Sequence, residues 1–232
     1  MTYTLRTGCT IEDAEGVAKN NVPAFWSNTW WRILYDAPAE RVLEVVTLRT
    51  PWNLLSENEV KRHQVVVDDT TGDIVGYARW MLPTEHQKEW LEAKTPEPSK
   101  EEIQHFKALS DNNRLPHGDP QFKREMDALD DPIEKAEADF APKKPYIKLA
   151  YLATHIDHHR RGISSMLVKS GLEQADKLGL DVLVIAMGYA ATALYKKLGF
   201  EMVWDLEQTL KPWGHDDVYY TAILIRRAPV TN

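Results

Sequence analysis

Cysteine is almost absent from this chain. Cys9 is the single thiol among 232 residues, which excludes an internal disulfide and a thiolate metal cluster. No histidine or fixed acid adjoins it, so Cys9 reads as a strand-end or loop residue rather than a nucleophile. Long apolar runs are missing too: nothing approaches the ~20 residues that a bilayer span needs, so no membrane partner is expected. The opening MTYTLRTGCTIEDAEG lacks the apolar centre of a secretion signal and predicts an intracellular, cytoplasmic protein. Positive charge is in short supply, with 28 Lys and Arg against 35 Asp and Glu, a net charge of −7. Such a surface disfavours nucleic acid as a partner, although a local basic patch stays open. The phosphate fingerprints GxGxxG and GxxxxGK-S/T are both absent, which argues against a dinucleotide-fold dehydrogenase and a P-loop enzyme.

What is present is a large apolar fraction, 43%, sufficient for one sizeable core; a single domain over 1–232 is expected. YTLR alternates like a first strand. Thr10 with Asp13 reads as a capping box opening a helix through IEDAEGVAKNNVPAF. A second helical region covers about 27–35, and a third starts near Pro38 with Val42, Val45 and Val46; Pro51 interrupts or ends it. HQVVVDD, TTG and DIVGYARWML read as a hairpin of two central strands. YIKLAYLAT is the strongest strand of the chain. A helix from about Gly162 to Leu178 follows, with Ile163, Leu167, Val168, Leu172 and Ala175 inward and Gly179 at its end. DVLVIAM is a further strand, AATALYKKL a short helix, and FEMVWDLEQTL with VYYTAILIRR an antiparallel pair. The order predicts an α/β (α+β) architecture: a mixed, mostly antiparallel twisted sheet with helices on both faces.

Residues 84–140 differ in character. They carry fifteen acidic and eight basic residues, a net of −7 that equals the charge of the whole chain. Ile103, Phe106 and Leu109 share one helical face; Phe122, Met126, Leu129 and Ile133 share another. This is a helical insertion, read as a lid, a dimer contact or plain padding. FWSNTWW gathers Trp26, Trp30 and Trp31, either as core or as the lining of an acceptor pocket.

The segment THIDHHRRGISSMLV joins a basic knot to a helix start. Unpartnered amides at a helix N-terminus, a glycine that lets the backbone approach, small serines and the cations Arg160 and Arg161 suit a diphosphate. A solvated, idle helix start is the plain alternative. HIDHH has uneven spacing for a metal site, and no metal is expected.

HRRGIS resembles the cofactor signature of the GNAT family of N-acetyltransferases, Gln/Arg-x-x-Gly-x-Gly/Ala. His159 falls on the first position, Gly162 on the fixed glycine and Ser164 on the small one. ATALYKKLGFEMV is similar to the family's closing motif at Ala191, Leu194, Tyr195, Gly199 and Phe200. Gly188 stands where the family often has asparagine. The layout is closest to fungal members with a lengthened, charged connection at 84–140.

The resemblance implies a GNAT-like sheet and acetyl-CoA as cosubstrate. It implies a diphosphate held by Arg160, Arg161, Gly162, Ile163, Ser164 and Ser165, and a pantetheine arm along Leu152, Ala153 and Thr154. His159, Ala191 and Lys197 join the cofactor-binding set, and Lys196 is a further candidate for CoA phosphates. Tyr195 is implied as the acid that protonates the leaving sulfur. No base is legible; His155, Asp157, His158 and glutamates of the insertion are all open. The acidic insertion and FWSNTWW suggest an amine with an apolar body, more readily a small molecule than a protein tail. The protein is expected as a monomer or homodimer. The competing reading is a non-catalytic acyl-CoA-binding module.

Overall fold

The computed structural model describes residues 2–113, 115 and 120–229, the side chains of 120–126 excepted. The alternating N-terminus forms β1 (Tyr3–Thr7), and after it the Asp13 carboxylate accepts from the Thr10 amide at 2.7 Å. A 3₁₀ turn at Ile11–Asp13 leads into α1 (Ala14–Trp26). Ser27 closes α1, and the Asn28 side chain accepts from the Trp30 amide at 3.0 Å to open α2 (Thr29–Tyr35). The predicted second helix is thus shortened by an end and a cap back to back.

Pro51 does not stop α3, which runs Ala39–Leu55. One amide bond is lost inside the last turns, but buried Leu54 and Leu55 hold them against the core, and packing overrides the local break.

The hairpin is β2 (Lys61–Asp68) and β3 (Ile74–Met81), antiparallel as expected. Next come β4 (Tyr146–Thr154), α6 (Ile163–Leu178), β5 (Asp181–Met187), α7 (Tyr189–Lys197), β6 (Glu201–Thr209) and β7 (Val218–Arg226), after α4 (Lys100–Asn112) and α5 (Pro120–Phe140) of the insertion. One seven-stranded sheet has the order β1-β2-β3-β4-β5-β7-β6, and only β4 and β5 are parallel.

Alternation along β2 assigns the faces. Val66 packs with Ala78, Trp80 and the α6 residues Ile163, Leu167 and Val168. Val65 packs on the other face with Tyr77 and the α1 residues Ala14 and Val17. Helix α7 shares the face of α6 through Tyr195. Helix α5 shares the opposite face, where Leu129 and Ile133 join Trp30 and Tyr219, and Ala136 meets Leu183, Ile223 and Ile225. The predicted stripe is therefore seen at Leu129 and Ile133; the side chains of Phe122 and Met126 lie outside the described residues. Helix α4 packs along α3.

Where the insertion leaves the sheet, Arg62 is wholly buried. Its guanidinium donates to the carbonyls of Glu59, Lys61, Gln87 and Glu89 at 2.6–3.0 Å.

Close packing puts α6 almost on the sheet. A Cβ built on Gly171 would lie 2.0 Å from Trp80 Cζ2. The indole is fully buried and cannot swing aside, since its Nε1 donates to Gln64 Oε1 at 2.9 Å and Gln64 donates onward to Ser170 at 2.7 Å. Gly171→Ala gains about 1 kcal/mol of helix propensity but overpacks the core by more. A net loss of about 1–2 kcal/mol is expected by urea titration. Adding Trp80→Phe, which makes room, should relieve part of that loss; strict additivity of the two would contradict the clash.

Candidate active site

Strands β4 and β5 pair only over Tyr146–Leu149 and Asp181–Val184. Beyond that they part, while β4 stays bonded to β3 and β5 to β7. The register between β3 and β4 slips at the same place: Arg79 faces Tyr151, but Trp80 faces Leu149, so Ala150 bulges. A bulge bends its strand and re-aims the residues after it. The edge of β4 past the bulge therefore turns unused backbone groups into the gap.

A cleft of about 610 Å³ opens there. One wall is Leu152, Ala153 and Thr154 at the end of β4. The floor is the loop and helix start His159, Arg160, Gly162, Ile163, Ser164 and Ser165, and the far wall holds Ala191 and Tyr195 of α7. These are the sequence-predicted residues, brought together from three elements. Arg161 and Lys197 are not among the lining residues. The Arg161 guanidinium donates to Tyr3 Oη at 2.8 Å instead.

The loop is built for close approach. Arg160 and Gly162 both take left-handed backbone, φ 60° and 83°, and a Cβ on Gly162 would meet nothing within 4 Å. The amides of Gly162, Ile163, Ser164 and Ser165 donate to no other described residue. Thr154 Oγ1 and Ser164 Oγ are 2.8 Å apart and tie the strand end to the helix start. His159 Nε2 lies 3.0 Å from the Thr154 carbonyl. A carbonyl only accepts, so that nitrogen carries the proton, and the ring braces the loop.

Tyr195 is buried, with Phe200 edge-on at 5.4 Å. The residue lines the cleft, and its hydroxyl has no hydrogen bond to another described residue. Burial pushes the phenol well above its ordinary pKa, so it keeps its proton.

Of the base candidates, His158 alone lines this cleft, and its Nδ1 is 3.1 Å from Tyr3 Oη. Ala24 and Phe25 of α1 close the near side of the cleft with Ser27 and Asn28. The last three belong to FWSNTWW, read in the sequence for its tryptophans, and only Ala24 carried no signal.

A second cavity of about 250 Å³ lies on the other face, between helices α1, α2 and α3 and strands β3 and β4. Phe25 of the first cleft and Tyr151 of the second cavity meet edge-on at 5.2 Å, so the two cavities adjoin at this ring pair. Trp31 lines this second cavity, whereas Trp30 is core, stacked on Tyr219 at 5.0 Å. Trp30 and Trp31 both belong to the buried core, and Trp31 in addition borders the cavity.

The expected attraction from the acidic insertion is not built into this cavity. No described residue of 84–140 lines it or the first cleft, and its lining charges are Arg49 and Arg79. The described part of the insertion buttresses α3 and the β6–β7 edge instead. Behind the cavity, His63 Nδ1 sits 2.9 Å from Tyr77 Oη. Burial, with Arg79 and Lys61 nearby, pushes His63 down to about 3, so it is a poor base.

A mostly antiparallel sheet whose single parallel pair parts around a glycine-opened helix is the fold of an N-acetyltransferase. Residues 26–200 match the acetyltransferase (GNAT) family, and the chain belongs to it. Solved structures of the same fold include a histone acetyltransferase HPA2-related acetyltransferase from Corynebacterium glutamicum, at 17% identity and a TM-score of 0.60 with all of both chains covered. A Drosophila melanogaster polyamine N-acetyltransferase that forms N-acetylagmatine has 12% identity and a TM-score of 0.51, covering 97% of this chain and 100% of its own. The PaiA N-acetyltransferase of Thermoplasma acidophilum, in complex with coenzyme A, has 11% identity and a TM-score of 0.52, covering 98% and 99%. Comparison with curated protein sequences gives no match. Among the described residues no helix is long and apolar enough to cross a membrane, and no three His, Cys, Asp or Glu side chains are grouped to hold a metal ion.

Proposed function

We propose that the chain transfers an acetyl group from acetyl-CoA to the amine of a small molecule. One observation carries this reading: Gly162 to Ser165, whose amides donate to no other described residue, line the same cleft as Tyr195, whose phenol keeps its proton. The residues fit the cosubstrate. Unpartnered amides and the positive end of α6 suit a diphosphate, and the open space above Gly162 leaves room for it. Arg160 adds charge at the rim. The backbone of Leu152, Ala153 and Thr154 offers donors and acceptors along the free edge of β4 for a pantetheine arm. Ala191 keeps the opposite wall low, and exposed Lys197, with Arg161, lies within the outer reach of a long, phosphate-bearing ligand.

Acetyl-CoA, when bound, supplies the activated thioester. Tyr195 holds a proton at its phenolic oxygen for the sulfur that departs, and β4 amides beyond the bulge polarise the carbonyl. The amine gains the acetyl carbon as the carbon–sulfur bond breaks, so amine and thioester give amide and thiol. The small volume of the second cavity beside the cleft, about 250 Å³, supports a small acceptor over a protein tail. The family relationship supports acetyl-CoA as the donor.

Calorimetry with CoA, then thiol release from acetyl-CoA with a panel of amines, tests the proposal. Binding with amine-dependent release is expected. Binding without turnover of any amine would favour a non-catalytic acyl-CoA module, and no heat with CoA would end the assignment.

A further inference from the structure

Among the described residues, no acid lines the second cavity. Arg49 of α3 and Arg79 of β3 both line it, and the Nε atom of each is buried with no hydrogen-bond acceptor. No carboxylate lies within salt-bridge distance of either guanidinium among the described residues. Elsewhere in the described chain arginines find partners: Arg6 with Asp13, Arg226 with Asp176, Arg227 with Asp181, and Arg62 with four carbonyls. Two guanidiniums in one cavity without an anion are costly unless a ligand brings one. Trp31, Tyr35, Tyr77 and Tyr151 give the cavity aromatic walls, Asn21, Thr50 and Asn53 add uncharged polar groups, and the Arg79 guanidinium lies 5.5 Å from the Tyr151 ring centre. Arg79 also lines a neighbouring cavity of about 760 Å³ that carries Lys61, Lys143, Lys144 and Lys148, with Glu57 and Glu85 as its acids. Positive charge therefore continues outward from Arg79.

We propose that this cavity is the acceptor subsite, and that it takes an amine whose other end is a carboxylate: a small amino acid or amino-carboxylate with an apolar or aromatic body. The proposal rests on the transferase reading above. Arg49 and Arg79 anchor the carboxylate by charge-assisted hydrogen bonds, and the aromatic walls hold the body. The same two cations answer the question of the missing base. A fixed positive charge nearby disfavours the ammonium form, so the bound amine sheds its proton to solvent more readily than in water. The bond made is nitrogen to acetyl carbon, and the sulfur leaves with the proton from Tyr195, which solvent restores. A dicationic acceptor such as agmatine would instead meet like charges.

The test uses equilibrium binding, so that it does not depend on turnover. A panel of amino acids, each paired with its own decarboxylated amine, is titrated into the CoA-loaded protein by calorimetry; agmatine is the cationic control. At least one carboxylate member should bind about 100-fold more tightly than its decarboxylated partner. Arg49→Gln and Arg79→Gln should each erase most of that preference while CoA affinity, the check on folding, is kept. Arg49→Lys and Arg79→Lys should retain part of it, because the charge stays and the fork is lost. Equal or tighter binding of the decarboxylated amines or of agmatine, a preference that survives both glutamine variants, or no binding by any member of the panel would overturn the proposal. Loss of the transferase reading shows separately, as wild-type protein that takes up no CoA.

Discussion

Gly162→Trp should lower CoA affinity by at least about 100-fold, read by calorimetry, with the fold intact. Gly162 sits at φ 83°, and its missing Cβ points into open space beside the unpartnered amides of the helix start. An indole there occupies the volume a diphosphate needs and screens the row of N–H groups from it. Each hydrogen bond to a charged oxygen is worth about 1.5–3 kcal/mol, so losing two accounts for the fall. The left-handed backbone adds a strain of about 1–3 kcal/mol for any side chain. Gly162→Ala carries the same strain without filling the space. It should lower the melting temperature much as tryptophan does and leave most of the affinity. If alanine abolishes binding as completely as tryptophan, backbone conformation rather than blockade is the cause. If tryptophan leaves CoA binding unchanged, the diphosphate does not lie at this helix start.

Tyr195→Phe should reduce turnover by about 100-fold or more, the usual range for a lost general acid, and leave CoA affinity essentially unchanged. The variant keeps the ring that packs beside Phe200 and removes only a hydroxyl with no hydrogen bond to another described residue. Stability should therefore hold, since no buried partner is orphaned. The pH profile gives an independent check. Burial raises the phenol above the ordinary value of about 10, so it remains a donor through the whole neutral and mildly alkaline range. Wild-type turnover should show no downturn from Tyr195 ionisation below that pH. Parallel loss of turnover and CoA affinity in Tyr195→Phe would mark the residue as structural. An unchanged rate would assign the proton to water.

The cleft and the arginine cavity differ in how plainly the sequence announced them. Strand β4, the loop and α6 are consecutive, so a continuous apolar strand, a glycine and a 3.6-residue stripe fall within thirty residues and can be read together. Tyr195 was legible through its own local motif. The arginine cavity was not, because Arg49 and Arg79 lie on a helix and a strand with a turn and a strand between them. Each looks like an ordinary surface charge in its own segment, and only the packing of α3 across β3 makes them neighbours. Bulk charge misled for a related reason: the acidic residues of 84–140 dominate the composition, yet none of those described lines the cleft or the second cavity. Pro51 misled because a local rule about helix interiors was outweighed by Leu54 and Leu55 beyond it. His159 was placed in the right loop, but its ring proton is spent on the Thr154 carbonyl, a partner five residues back that spacing alone does not reveal.

Arg62 has a consequence for how this protein tolerates change. Its five nitrogen–oxygen contacts all end on main-chain carbonyls, so it recognises the course of the backbone and is indifferent to which side chains that backbone carries. Replacing Gln87 or Glu89 leaves the same oxygens in place, so the first stretch of the insertion keeps its course under substitution. The root of the insertion is thereby held whatever side chains it carries, whereas α4 and α5 further along still answer to α3 and the β6–β7 edge they pack on.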